Sequence, residues 1–492
     1  MNSGTIHSFL KGKSILVIGT TGFLAKVFVE KILRIQPEIQ QLYLLVRASN
    51  NDLASQRLQN EVFQTDLFGL LRDKLGQEFD SFISKKVTAI AGDVSVQNLG
   101  LKDENLNLFQ EIDLIVNFAA TTKFDERFDI SMGVNTMGPL HVLNFAKKCC
   151  NIKVFVHIST AYVCGEANNG EEILQEKPFE MGQTLKGTSK LNIQTEMDLL
   201  EKKIDELRAM NADESTIKYA LKDYGIQRAN LHGWPNTYVF TKAMGEMLVV
   251  NQKDNVPLII IRPTMVTSTN KDPFPGWIEG LRTTDTVIRG YGIGKLACFV
   301  GNPNTILDII PADLVINCVI TTIVVHLDQA PKDFIYHISS SLRNPFKVLD
   351  FINIIYDYFV KNPCTNENGK PIVISKRLFP TSLSGFNVYL TIRYVIPLKV
   401  SNYVNKTCFR FSQDATYDDN YKKNRMLKGW AKLYKPYSCF KAIFDDTNTE
   451  NLRRVTKSLK ENEELNFDPT SIDWTNYMMN THIPSIVKYA MK

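Results

Sequence analysis

"KSILVIGTTGFLAKVFVEKILRIQP", residues 13–37, starts with an unbroken apolar run, turns through two glycines and continues with apolar residues at helical spacing. Such a run without alternation suits a strand in a sheet covered on both faces. Gly19, Gly22 and Ala25 then make a GxxGxxA spacing, and Leu24, Val27, Phe28 and Ile32 fall on one helical face. A glycine turn from strand to helix lets the backbone approach a pyrophosphate, and the first amides of the helix favour an anion. Gly19, Thr21, Gly22, Phe23 and Leu24 are therefore candidate cofactor-binding residues.

Working outward, "QLYLLVRA", "KVTAIAGDV", "DLIVNFAA", "KVFVHISTAYV" and "VPLIIIRPTMV" read as further buried strands, separated by helical patterns. The alternation predicts an α/β fold, a Rossmann-type doubly wound parallel sheet. Residues 166–232 interrupt it with a helical insertion, in which Met197, Leu200, Ile204 and Leu207 of "TEMDLLEKKIDELRAM" keep helical spacing. "PFPGWIEGLRTTD", residues 273–285, has the Pro and Gly content of a loop over a site. From about residue 345 the composition shifts toward Tyr, Phe, Lys and Asn. The expected organisation is a dinucleotide-binding domain over 1–345 and a smaller, mainly helical C-terminal domain over 346–492. No internal repeat is visible.

Each strand end contributes to a cofactor site. Arg47 ends the second strand, where an acid would accept from the ribose 2′-hydroxyl of NAD and a cation attracts a 2′-phosphate. No acid precedes Asp52, so NADPH is the expected cofactor. Asp93, followed by Val94, lies where a carboxylate can accept from an adenine amino group. Ala119 and Ala120 end the fourth strand with small side chains that leave room for the cofactor.

Composition narrows the rest. The chain has 492 residues, 44% hydrophobic and 22% charged, with a formal net charge of +5 spread among acidic residues, which gives no support for nucleic-acid binding. Eight cysteines show neither CxxC pairs nor a dense framework, so they read as reduced thiols with no metal site. The N-terminus lacks the pattern of a secretory signal, and no stretch is apolar for long enough to cross a bilayer. "SLSGFNVYLTIRYVIPLKV", residues 382–400, is interrupted by Arg393, Pro397 and Lys399; it reads either as an interfacial segment or as buried core.

A Tyr-x-x-x-Lys pair occurs at Tyr238 and Lys242, with further matches at Tyr291/Lys295 and Tyr437/Lys441. On a helix such a pair shares one face, and the ammonium eases ionisation of the phenol. Only Tyr238 and Lys242 follow the glycine turn and the "HISTAYV" strand end, and Pro235 and Asn236 suit a helix start there.

GTTGFLA, HISTAYV and YVFTK together resemble an extended short-chain dehydrogenase/reductase. The resemblance implies Thr160, or its neighbour Ser159, with Tyr238 and Lys242 as the catalytic set, Lys242 also gripping the nicotinamide ribose. "LYLLVRAS", "VNFAATTKFDERFD", "HGWPNTYVFTKAMGEM", "IIRPTMVTST", "IIPADLV", "IFDDTNTENLR" and "FDPTSIDW" extend it to the plant alcohol-forming fatty acyl-CoA reductases over nearly the whole chain. That family implies reduction of a long-chain fatty acyl-CoA through an aldehyde to a primary alcohol with NADPH. It also raises peripheral membrane association, at the cytosolic face of the endoplasmic reticulum, and leaves the oligomeric state open. A sterol or flavonoid reductase would share the motifs up to Lys242 but not the C-terminal ones; a silent lipid-binding protein would not need Thr160, Tyr238 and Lys242. Cys164 lies close to Thr160, but a small packed thiol is the simpler reading.

Overall fold

The computed structural model describes residues 6–101, 108–165, 172–187, 190–296, 298–328, 334–374, 380–397, 399–400, 415–456 and 464–491. Seven strands form one parallel sheet: β1 (Ser14–Ile18), β2 (Gln41–Val46), β3 (Val87–Ala91), β4 (Leu114–Asn117), β5 (Val154–Ile158), β6 (Leu258–Pro263) and β7 (Ile335–Ile338). Their order across the sheet is 3-2-1-4-5-6-7. β1 pairs on one side with β2 and on the other with β4, Val17 opposite both Leu44 and Val116. The strand order therefore reverses beside β1, the switch point at which sheets of this kind place a binding crevice, outside the carboxyl ends of β1 and β4.

β1, β4, β5 and β6 are buried at every residue, as the apolar runs predicted. α1 (Phe23–Ile35) follows the glycine turn; α2 (Gly138–Ala146) follows β4. The insertion holds two helices, α3 (Ile193–Ala209) and α4 (Glu214–His232), of which only the first was foreseen. On α3, Leu200 and Leu207 are buried, whereas Met197 and Ile204 are half-buried. Glu196 is buried as well, accepting from Arg228 Nη2 at 2.5 Å and facing His232 Nε2 at 2.9 Å. α5 (Thr237–Gln252) carries the Tyr-Lys pair, and α7 (Ala312–Asp328) packs beside α1, with α6 (Thr283–Gly292) between them in the chain.

Two compact units emerge, and they interleave along the chain. One comprises residues 1–279, 309–343 and 443–472; the other 280–308, 344–442 and 473–492. The linear division at 345 thus lies next to one crossing of the chain, while 280–308 group with the later residues and 443–472 with the sheet. In the first unit Ile443–Phe444 pairs with Ile173–Leu174, and Glu176 accepts from the amides of His337 and Asn448 at 2.7 and 2.5 Å. The second unit is helical, with α6, α8 (Val348–Lys361) and helices at Leu383–Leu390, Ala415–Ser438 and Ile483–Ala490. Asp285 and His482, both buried, meet there at 3.2 Å.

α5 is deeply enclosed beside the sheet: twelve of its sixteen residues are buried. Gly245 makes that possible, because a Cβ there would lie 2.2 Å from the carbonyl oxygen of Asn135. A solvent-facing helical glycine gains about 1 kcal/mol on replacement by alanine. Here the clash is with backbone, so Gly245→Ala is expected to lose about 1–3 kcal/mol instead. Urea denaturation of the two proteins checks this; a stabilised variant would show that α5 can move off Asn135.

Candidate active site

The glycine turn is built by its own geometry. Gly19 has φ of 84°, and a Cβ on it would lie 2.7 Å from the Ala119 nitrogen at the end of β4. A left-handed conformation and so close an approach both require glycine. Gly22 is the N-cap of α1 and brings no side chain to the helix start, an arrangement that suits the approach of an anion. Thr20 Oγ1 donates to Leu45 O at 2.8 Å and ties the turn to the end of β2. Phe23 is buried, while Thr21 and Leu24 are half-buried in the same turn.

The remaining cofactor candidates line the strand ends in sequence. Arg47 is exposed just beyond β2, its carbonyl accepting from Arg57 Nη1. Half-buried Asp93 follows β3 and accepts from the amide and hydroxyl of Ser95 at 2.9 and 2.7 Å. Val94 is buried, and its carbonyl faces His141 Nδ1 at 3.0 Å. Ala119 donates its amide to Asn117 Oδ1 at 3.0 Å. These features suit an extended dinucleotide: a tight turn, uncapped helix amides, an exposed guanidinium and a carboxylate at successive strand ends.

α5 starts where the sequence placed it. Asn236, with φ −159° and ψ 169°, accepts from Val239 N at 3.2 Å. Trp234 Nε1 donates to Val163 O at 2.8 Å, which seats the start of the helix on the turn after β5. Thr160 caps that turn by accepting from Tyr162 N at 3.4 Å, and Ser159 N donates to Ile261 O at 2.7 Å. Tyr238 is half-buried, and the ring of Phe124 stacks on it at 6.2 Å between centroids.

One turn further, Lys242 is buried and donates from Nζ to Ile158 O at 2.7 Å. Burial lowers its ammonium to about 8, with Glu246 acting in the opposite sense. His157 Nε2 lies 3.4 Å from the same Nζ, and His157 Nδ1 lies 3.4 Å from Asn117 Nδ2. Burial, followed by the nearby Lys242, pushes the His157 imidazole well below its ordinary value. The glycine turn, the β4 end, the β5 end and α5 are thus joined by one chain of contacts from Gly19 through Ala119, Asn117 and His157 to Lys242.

The competing pairs do not form this arrangement. α6 ends at Gly292, one residue after Tyr291, and the helix bearing Tyr437 ends at Ser438, so Lys295 and Lys441 lie outside them. Asn117, His157 and the Glu246–Arg262 pair were not anticipated. Arg262 lies wholly buried in β6, with Nη2 2.5 Å from Glu246 Oε2 on α5. Its Nη1 approaches Cys164 Sγ at 3.7 Å and His337 Nε2 at 3.3 Å. Desolvation pushes the Cys164 thiol up to about 11. Seven cysteines fall in the described residues, all free thiols; Cys408 lies outside them. Among the described residues no group of three or more His, Cys, Asp and Glu side chains is arranged for a metal.

The Pro-Gly segment is indeed a loop up to Thr283, and it is fastened to α1. Lys26 Nζ lies 2.7 Å from Glu279 Oε1 and Lys31 Nζ 2.5 Å from Asp272 Oδ2. Asp313, at the start of α7, accepts from the amides of Asn270, Lys271 and Asp272.

Comparison with known proteins agrees with this architecture. Two family models, both described as "Male sterility protein", match: an NAD-binding model over residues 17–319 and a second over 393–492. "Probable fatty acyl-CoA reductase 4" of Arabidopsis thaliana is 48% identical with both chains fully covered. "Alcohol-forming fatty acyl-CoA reductase" of Simmondsia chinensis is 47% identical over 99% of each chain. In fold alone, the terminal reductase domain of the myxalamid PKS-NRPS pathway superposes with a TM-score of 0.58 at 16% identity, covering 98% of this chain and 92% of its own. A parallel reductase sheet carrying a glycine turn at its switch point, together with matches spanning the full length, places this chain in the fatty acyl-CoA reductase family.

Proposed function

We propose that the protein reduces long-chain fatty acyl-CoA to the primary alcohol through the aldehyde, using NADPH and releasing CoA. The observation that carries this reading is Lys242, buried one helical turn beyond Tyr238 and fastened to the end of β5. The nicotinamide cofactor, when bound, supplies the hydride. Gly19, Thr21, Gly22, Phe23 and Leu24 would hold its pyrophosphate, Asp93 and Val94 its adenine, Ala119 its central part and Lys242 its ribose.

Hydride arrival at a thioester or aldehyde carbon leaves negative charge on the carbonyl oxygen. Tyr238 would donate its phenolic proton there, with Thr160 holding the same oxygen. A free phenol titrates near ~10, so the adjacent Lys242 cation serves to make that proton available. In the first round the hemithioacetal collapses and expels the CoA thiol. The aldehyde then meets the same donors after the spent cofactor is exchanged. No cysteine nucleophile enters.

Arg47 would read the 2′-phosphate of NADPH, since a guanidinium holds phosphate through several donors. Membrane contact is assigned to the helix from Leu383, in the second unit. Phe386 and Leu390 are buried there, whereas Val388, Ile392, Ile396 and Val400 are exposed, with Arg393 and Lys399 beside them. Apolar residues spaced by four, flanked by cations, suit a bilayer surface, and family resemblance alone points to the cytosolic face of the endoplasmic reticulum as that surface.

Tyr238→Phe is expected to cut alcohol formation from acyl-CoA by about 100-fold or more while NADPH still binds. Lipid analysis and cofactor-fluorescence titration read the two effects, and undiminished alcohol output would refute the mechanism. Arg47→Asp should weaken NADPH at least about ten-fold more than NADH, the scale of one lost charged hydrogen bond. Equal loss for both cofactors would remove Arg47 from phosphate recognition. For the membrane, flotation with anionic phospholipid vesicles should fail in Val388→Asp/Ile392→Asp with reductase activity on short, soluble acyl-CoA retained; flotation equal to that of the parent protein would reject this face.

A further inference from the structure

The contacts of Lys242 include one that the reaction as derived above does not use. Asn117 and His157 are both wholly buried, and they stand between the cofactor turn and the lysine. The orientation of the Asn117 amide is set by its neighbour: the Ala119 backbone N–H can only donate, so the atom that receives it at 3.0 Å is Oδ1. Nδ2, which can only donate, therefore faces His157 Nδ1 at 3.4 Å. Nδ1 must be the unprotonated nitrogen, and a neutral imidazole then carries its hydrogen on Nε2. That N–H points at Lys242 Nζ, 3.4 Å away.

Toward an ammonium, an N–H is an unfavourable neighbour. Toward an amine, it is a hydrogen-bond donor to the lone pair. We propose that Asn117 and His157 are positioning residues for the reduction: Asn117 holds His157 as its Nε2–H tautomer, and that N–H caps the lone pair left on Lys242 once it has passed a proton to Tyr238. Lys242 is then a proton carrier that cycles between ammonium and amine, and not only a fixed positive charge.

This rests on the function proposed above, and its proton flow balances. The hydride from the nicotinamide brings two electrons to the carbonyl carbon, so the cofactor is oxidised and the carbonyl reduced. The Tyr238 O–H bond breaks as the product O–H bond forms. A Lys242 N–H bond breaks as the Tyr238 O–H bond is restored, and the amine regains its proton from water. The ionisable groups around Lys242 are His157 on β5, Tyr238 and Glu246 on its own helix, and Arg262 on β6. Arg262 is paired with Glu246, which leaves His157 as the group whose hydrogen placement chooses between the two states of the lysine. Ile158 O accepts from either state.

Nitrogen-15 NMR of histidine-labelled protein tests the arrangement directly, since the chain has seven histidines and the His157 signal is the one missing in His157→Gln. The expected result is a neutral ring protonated on Nε2 across pH 6–8, a window above the ordinary histidine value of ~6.5 at its upper end. A ring protonated on Nδ1 would overturn the proposal, whatever the enzyme does. Asn117→Asp preserves the acceptor for Ala119 N but replaces the donor to Nδ1 by an acceptor. It should move the hydrogen to Nδ1 and turn Nε2 into an acceptor for the ammonium. The alkaline limb of kcat/KM, which the proposal assigns to Lys242, should then rise by about one pH unit or more. An unmoved limb in a variant that still binds NADPH would overturn the proposal, because a merely structural role lowers the rate without shifting the limb. Absence of acyl-CoA reduction in the parent protein, with His157 protonated on Nε2, would count against the proposed function and leave the tautomer arrangement supported.

Discussion

The burial of charge along α5 constrains everything around it. A helix that sets Lys242 and Glu246 against the sheet must find each a partner, because an unpaired buried ion costs several kcal/mol or neutralises itself. Glu246 finds Arg262 on β6, and Lys242 finds the Ile158 carbonyl on β5. These two contacts come from adjacent strands and adjacent helical turns, so together they fix both the height and the rotation of α5. A slip of one residue would strand both charges. The direction in which Tyr238 projects is set by the same requirement, one turn nearer the carboxyl ends of the strands.

This seam is tied to the cofactor end through β4. Asn117 receives the Ala119 amide, and Ala119 in turn packs against the glycine turn so closely that Gly19 has no room for a side chain. A displacement of the glycine turn would therefore reach His157 and Lys242 through packed neighbours. The ion pairs from Lys26 and Lys31 to Glu279 and Asp272 fasten the Pro-Gly loop to the same helix whose N-terminus faces the crevice. Helix α1, the strand ends and the loop share one set of anchors.

Much of this was legible in the residues. The first six strands, the glycine turn and the start of α5 are written locally, in apolar runs and in Pro-Asn punctuation, and they stand where they were read, whereas β7 was not read from the sequence. The polar partners were not legible, since Asn117, His157 and Arg262 sit inside strands whose apolar neighbours dominate the pattern. Their partners lie 40, 85 and 16 residues away in the chain, and only folding reveals them. α4 escaped notice because its mixed polar sequence has only four buried residues and an interior glycine, Gly225, placed there by the approach of Thr237. Glu196 on α3 is held by Arg228 and His232 of α4, partners more than thirty residues away that no local pattern marks. The grouping of 280–308 and 443–472 follows contacts between distant segments that no composition shift marks.

The same logic accounts for the chemistry available to the thioester. Cys164 stands a few residues from Thr160, where an acyl-enzyme route would want a thiolate. Its surroundings favour the thiol, because desolvation outweighs the nearby Arg262 cation, which is already committed to Glu246. His337, which approaches Cys164 at 4.0 Å, is held below its ordinary value mainly by burial and then by Arg262, and its Nδ1 faces the Asp445 carbonyl. Neither activates a nucleophile. In the proposed reaction the sulfur must then leave from a tetrahedral adduct formed on the substrate itself. That proposal requires residues that hold and protonate an oxygen, and the same tyrosine and lysine would serve both rounds.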